Sequence, residues 1–137
     1  MPFEVIEHTA DTGIRVWAPD IPTLFSEAAR GMFSLLTDLD HVTPTRTRSI
    51  KIDGIDQTDL LVNTLRELLY LFNAEDLIVK ALDMEQVGAS EAIGTIHCDP
   101  VDPEKHEIHL DIKAVTYAGG DIRKKPEGFE ITVIFDI

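Results

Sequence analysis

Phe129-Glu130-Ile131-Thr132-Val133-Ile134-Phe135-Asp136-Ile137 is the stretch on which the fold turns. Phe129, Ile131, Val133 and Phe135 alternate with Glu130, Thr132, Ile134 and Asp136, the period of two that marks a β-strand with one face toward a core. A strand over 129–135 locked into the core fixes the two acidic groups at its far end, the Asp136 side chain and the Ile137 α-carboxylate. Fixed neighbouring oxygens suit a cation.

Working back from that strand, the second half of the chain reads as strands over 77–85, 91–98, 107–118, 121–124 and 128–135. Gly88-Ala89-Ser90, the 99–103 stretch with its two prolines, Gly119-Gly120 and Pro126-Glu127-Gly128 mark the turns between them, so antiparallel pairing is expected. In the 107–118 run, Ile108, Leu110 and Ile112 alternate with His109, Asp111 and Lys113, which puts Lys113 and Asp136 on the faces opposite the most apolar ones.

The first half supplies two helices. Asp20 caps one whose stripe is Ile21, Leu24, Phe25, Ala28, Met32, Leu35 and Leu36, with Pro22 tolerated in the first turn and an end near Leu36. Asp56 begins the other, with Leu61, Leu65, Leu68, Leu69 and Phe72 as its stripe and a stop at Asn73. Short strands are expected over 3–7, 13–18 and 49–53, with His8 to Thr12 as a polar connection. One apolar face per helix predicts that each lies against a sheet. The expected fold is α+β, two helices packed on a largely antiparallel sheet as a two-layer sandwich, in a single domain over 1–137.

Composition narrows function. Twenty-five acidic against 12 basic residues give a net charge of −13, which repels nucleic-acid phosphates and serves either solubility alone or a surface complementary to a basic protein partner. No direct nucleic-acid binding is expected. No apolar run approaches the roughly 20 residues of a membrane span, and the N-terminus lacks the pattern of a signal peptide, so a cytoplasmic protein with no membrane partner is expected. The lone Cys98 reads as a buried, inert thiol, and His97, His106 and His109 make no recognised zinc spacing with it. Phosphate-loop, dinucleotide and nucleophile-elbow motifs are missing from the sequence.

Asp11, in His8-Thr9-Ala10-Asp11-Thr12-Gly13, is the candidate that chemistry singles out together with Asp136. Hard cations such as calcium, magnesium and manganese prefer oxygen donors, and Asp11, Asp136 and the Ile137 carboxylate would supply part of such a shell. An aspartate in such a break more often closes a turn through backbone hydrogen bonds, and His8 reads as a ligand, a proton carrier or a structural histidine. Spacing does not decide which residues meet across 125 positions.

His8-Thr9-Ala10-Asp11, Leu24-Phe25-Ser26-Glu27-Ala28-Ala29, Lys113-Ala114-Val115-Thr116-Tyr117 and Ile134-Phe135-Asp136-Ile137 together, in this order, resemble the archease family over essentially the whole chain. The resemblance implies a protein cofactor of the tRNA-splicing RNA ligase. That ligase joins a 2′,3′-cyclic phosphate or 3′-phosphate end to a 5′-hydroxyl, using GTP, manganese and a guanylylated histidine of its own. The helper would promote guanylylation and multiple turnover without being an enzyme itself. Carried over residue by residue, the family's divalent-cation site, for calcium or for manganese or magnesium, falls on Asp11, Asp136 and Ile137. His8, Lys113 and Tyr117 are implied to face the site or the partner. Ala118-Gly119-Gly120 departs from the family's usual pair after the tyrosine, so no role is carried to position 118. Two other classes stay open: a stand-alone metal-dependent hydrolase, and a general chaperone-like binder.

Overall fold

A computed structural model describes residues 2–7 and 11–137. Two strands, β1 (Phe3–Glu7) and β2 (Asp11–Ala18), lead into α1 (Ile21–Leu36); β3 (Arg46–Asp53) precedes α2 (Gln57–Glu75). The chain continues through β4 (Leu77–Val87), β5 (Glu91–Pro100), β6 (Ala114–Thr116), β7 (Arg123–Lys125) and β8 (Gly128–Asp136). The α+β class expected from the pattern is what forms, and all strand pairs among the described residues are antiparallel.

The strands divide between two sheets. One runs β1-β2-β8-β6 with β7 also on β8, and the other runs β3-β5-β4. The helices hold the two together: α1 lies against β2 of one sheet and β4 of the other, and α2 against β3 and β4 as well as β6. This explains why α1 is apolar around more of its circumference than a helix covering one sheet needs. Ala29 and Phe33, outside the expected stripe, are buried along with Leu24, Phe25, Ala28, Met32 and Leu36.

Helix boundaries follow from capping. The Asp20 carboxylate accepts from the Thr23 N–H at 2.9 Å, and the Asp56 carboxylate accepts from the Asp59 N–H at 2.8 Å, each satisfying a donor with no partner inside its helix. α2 passes the expected stop at Asn73 and ends at Glu75, because Asp76 is the residue that takes the left-handed conformation, at φ 54°.

The largest departure from the alternation lies in 107–118, where only Ala114–Thr116 pairs as a strand. Residues 107–109 instead serve the C-terminal end of α1: the Thr37 hydroxyl donates to the Glu107 carbonyl at 2.7 Å, and the His109 N–H donates to the Leu36 carbonyl at 2.8 Å. Carbonyls in the last turn of a helix need donors from outside it, and this segment supplies one. Ile108 is consequently exposed, while Ile112 is buried.

Candidate carboxylate site at the paired ends of β2 and β8

β2 begins at Asp11, two residues earlier than the expected strand, because Asp11 and Thr12 pair with Asp136 and Phe135. Asp11 therefore occupies a strand end and not the polar connection in which the sequence pattern places it. Along β2, Thr12, Ile14 and Val16 are buried against the core, so Asp11 shares the opposite face with Arg15 and Trp17. Along β8, Ile131, Val133 and Phe135 are buried, which leaves Asp136 on that same outward face.

Asp11 and Asp136 are register partners. Residues directly opposite in an antiparallel pair hold their Cβ atoms about 4.5–5.5 Å apart on one side of the sheet, and like charges there destabilise the pair. A cation between them would remove that repulsion. Asp11 Oδ1 sharpens the point, being buried and without a hydrogen-bond partner among the described residues. Leaving a buried polar atom unsatisfied costs about 1–3 kcal/mol, so an oxygen in this state fits a ligand position.

Asp136 is held from two sides. It pairs with Asp11 on β2 and with Ala114 on β6, and its carbonyl accepts from the Lys113 N–H at 2.7 Å. Close approach of β2 to β8 depends on Gly13, where an added Cβ would stand 2.7 Å from the Val133 carbonyl oxygen. Ile137 follows outside the strand and is partly exposed. Among the described residues no three His, Cys, Asp or Glu side chains converge as a metal set. A cation held by these two carboxylates would need further oxygen donors of another kind.

The remaining candidates are dispersed. His8 lies outside the described residues. Lys113 is exposed, and among the described residues no carboxylate lies within 4 Å of its ammonium; its contribution to Asp136 is its backbone N–H. Tyr117 turns toward α2. Its hydroxyl donates to Asp59 Oδ1, and the Arg66 guanidinium stands 4.7 Å from its ring centre. The hydrogen bond to Asp59 raises the Tyr117 pKa, and the same bond, with help from the Ile55 N–H, holds the Asp59 carboxyl below its ordinary value. Cys98 is buried, and burial pushes its thiol up.

Sequence pattern gave no sign of Arg66. Its Nε and Nη2 both donate to the Val115 carbonyl, at 3.1 and 3.0 Å. An exposed arginine on the polar face of a helix has no local signature for such a contact, and only the tertiary approach of β6 creates it.

Fold and site together define an antiparallel α+β protein in which the start of β2 and the end of β8 meet in a pair of facing aspartates. A model of the Archease protein family (MTH1598/TM1083) matches residues 3–137. The chain belongs to the archease family. It is 32% identical over 140 residues to "Protein archease" of Methanopyrus kandleri, covering all of both chains, and 33% identical to "Protein archease-like" of Drosophila melanogaster, covering all of this chain and 91% of that one. The solution structure of Methanobacterium thermoautotrophicum protein 1598 superposes with a TM-score of 0.82 at 27% identity, over 99% of each chain. A crystal structure from Thermotoga maritima, described as an archease and possible chaperone, shares the fold with a TM-score of 0.63 at 19% identity, over 96% of this chain and 94% of that one.

Proposed function

We propose that this chain is a protein cofactor that activates the GTP- and manganese-dependent tRNA-splicing RNA ligase, promoting ligase guanylylation and multiple turnover, and is not itself an enzyme. The observation that carries this reading is the register pairing of Asp11 with Asp136 in a member of the archease family, with an Asp11 oxygen buried and unpartnered among the described residues. Asp11 and Asp136 would hold a divalent cation, calcium or manganese or magnesium, with the Ile137 carboxylate as a third oxygen group. Such a cation supplies positive charge on which phosphate oxygens can be arranged.

The chain's own residues provide position and encounter. Asp136 sits on a rung shared by β2, β8 and β6, so its carboxylate is carried on three strands. A net charge of −13 draws the molecule to a basic surface and speeds the approach to a ligase that binds RNA and GTP. It also disfavours direct contact with RNA. No helix among the described residues is long and apolar enough to cross a membrane, and we place the protein in the cytoplasm with its ligase.

The test is formation of ligase–GMP from GTP under limiting manganese, with and without this protein. Faster guanylylation is expected with the wild type, and no stimulation with Asp11→Ala or Asp136→Ala at unchanged fold. Full stimulation by either variant refutes the reading. Hydrolysis of phosphoesters by the protein alone points to a metal-dependent hydrolase instead. Help given to many unrelated clients, undiminished by Asp11→Ala, points to a general binder.

A further inference from the structure

β6 and the segment that follows it to β7 are gripped at three points by the first half of α2. The Arg66 fork donates twice to the Val115 carbonyl, the Tyr117 hydroxyl donates to Asp59, and the Ile122 N–H donates to the Thr58 hydroxyl at 3.0 Å. Arg66 also covers the Tyr117 ring and reaches its hydroxyl from Nη1 at 3.4 Å. Asp59 in turn is anchored, its Oδ2 accepting from the Ile55 N–H at 2.9 Å. This is a clamp assembled from one helix.

The clamped strand bears directly on the carboxylates. β6 has three residues at the edge of its sheet, so its ladder with β8 is short. Its pairs are Ala114 with Asp136, Val115 with Phe135 and Thr116 with Ile134, so Val115, the residue held by Arg66, is next to the rung that fixes Asp136. The Lys113 N–H, which donates to the Asp136 carbonyl, is two residues before Val115. Without the clamp, the outer side of Asp136 would rest on the short β6 ladder and the Lys113 N–H alone.

We propose that Arg66 and Tyr117 are positioning residues for the carboxylate site, the α2 clamp on β6 keeping Asp136 in register opposite Asp11 and thereby setting the affinity for a divalent cation. The inference rests on the carboxylate reading above. Groups that orient metal ligands typically contribute tenfold or more to affinity, and a clamp acting through the backbone belongs at the lower end, about tenfold.

Calorimetric titration of the full chain with calcium and with manganese tests this, using wild type, Arg66→Ala, Tyr117→Phe and Glu75→Gln. Glu75 ties the far end of the same helix to β3, its carboxylate accepting from Arg48 Nη1 at 2.9 Å, and so controls for loss of helix anchoring away from the clamp. The expected result is a dissociation constant raised about tenfold in Arg66→Ala, raised less in Tyr117→Phe, which keeps the ring beneath Arg66, and unchanged in Glu75→Gln. Should Arg66→Ala fail to fold, Tyr117→Phe, which loses one oxygen, decides. Wild-type affinity in the variants, with the wild type binding normally, overturns the clamp and leaves the carboxylate reading standing. A wild type that binds neither cation overturns both.

Discussion

Asp11 is the residue on which the proposed cation site most depends. Aspartate in a short polar stretch between strands serves turns as readily as cations, and what the structure adds is its pairing with Asp136 across the β2–β8 ladder. Asn at position 11 keeps the shape and removes the charge. Asp11→Asn is therefore expected to raise cation-free stability slightly, by about 0.2–1 kcal/mol from relief of the facing charges, while abolishing the rise in Tm that calcium or manganese gives the wild type. Thermal melts with and without cation read both. Tyr117 and Asp59 make a second residue-scale prediction. The tyrosine's pKa is raised, so the stabilisation it provides is complete below the ordinary tyrosine value of about 10 and is lost as pH rises through its higher folded value. The Asp59 pKa is lowered, so its share is present above the ordinary carboxyl range and lost as pH falls through the folded value. Arg66 faces both groups. Tyrosinate absorbance of wild type minus Tyr117→Phe should titrate with a midpoint above 10; a midpoint at or below it contradicts the hydrogen bond.

At the scale of elements, most of the secondary structure was legible. Both N-caps and the hydrophobic stripes of α1 and α2 stand where periodicity puts them, because capping and amphipathicity are local. Leu68, buried in α2, should cost about 2–5 kcal/mol as Leu68→Ala in denaturant unfolding, with cation affinity retained in the folded protein. The 107–118 segment was misleading for a physical reason: its alternation is real, yet its first residues bond the end of α1 and only three pair with β8. Pattern shows which side chains want burial, and not which backbone partner wins. Gly13 was silent in the sequence for a similar reason, since the crowding comes from β8, more than a hundred positions away. Gly13→Ala should force β2 and β8 apart next to the carboxylates, weakening cation binding as well as stability in the same titrations.

For the whole molecule, the antiparallel α+β class followed from the pattern, whereas the division into two sheets with helices touching both did not. Strand order is a long-range property that alternation leaves open. The same holds for the site, whose members lie at opposite ends of the chain and meet through the β2–β8 pairing. Net charge acts at this scale too. If −13 steers the molecule to a basic ligase surface, stimulation at limiting protein should fall several-fold as salt rises from about 0.1 to 1 M, over which the Debye length shrinks from about 10 to 3 Å. Saturating protein should restore it.

The most direct measurement is paramagnetic broadening of the backbone amide signals during titration with manganese. The pairing of Asp11 with Asp136 predicts that the amides of 11–12, 113–115 and 135–137 broaden first and together, and that Asp136→Asn removes the effect at all three segments. Broadening that begins elsewhere on this acidic surface, or that survives Asp136→Asn unchanged, would contradict the account.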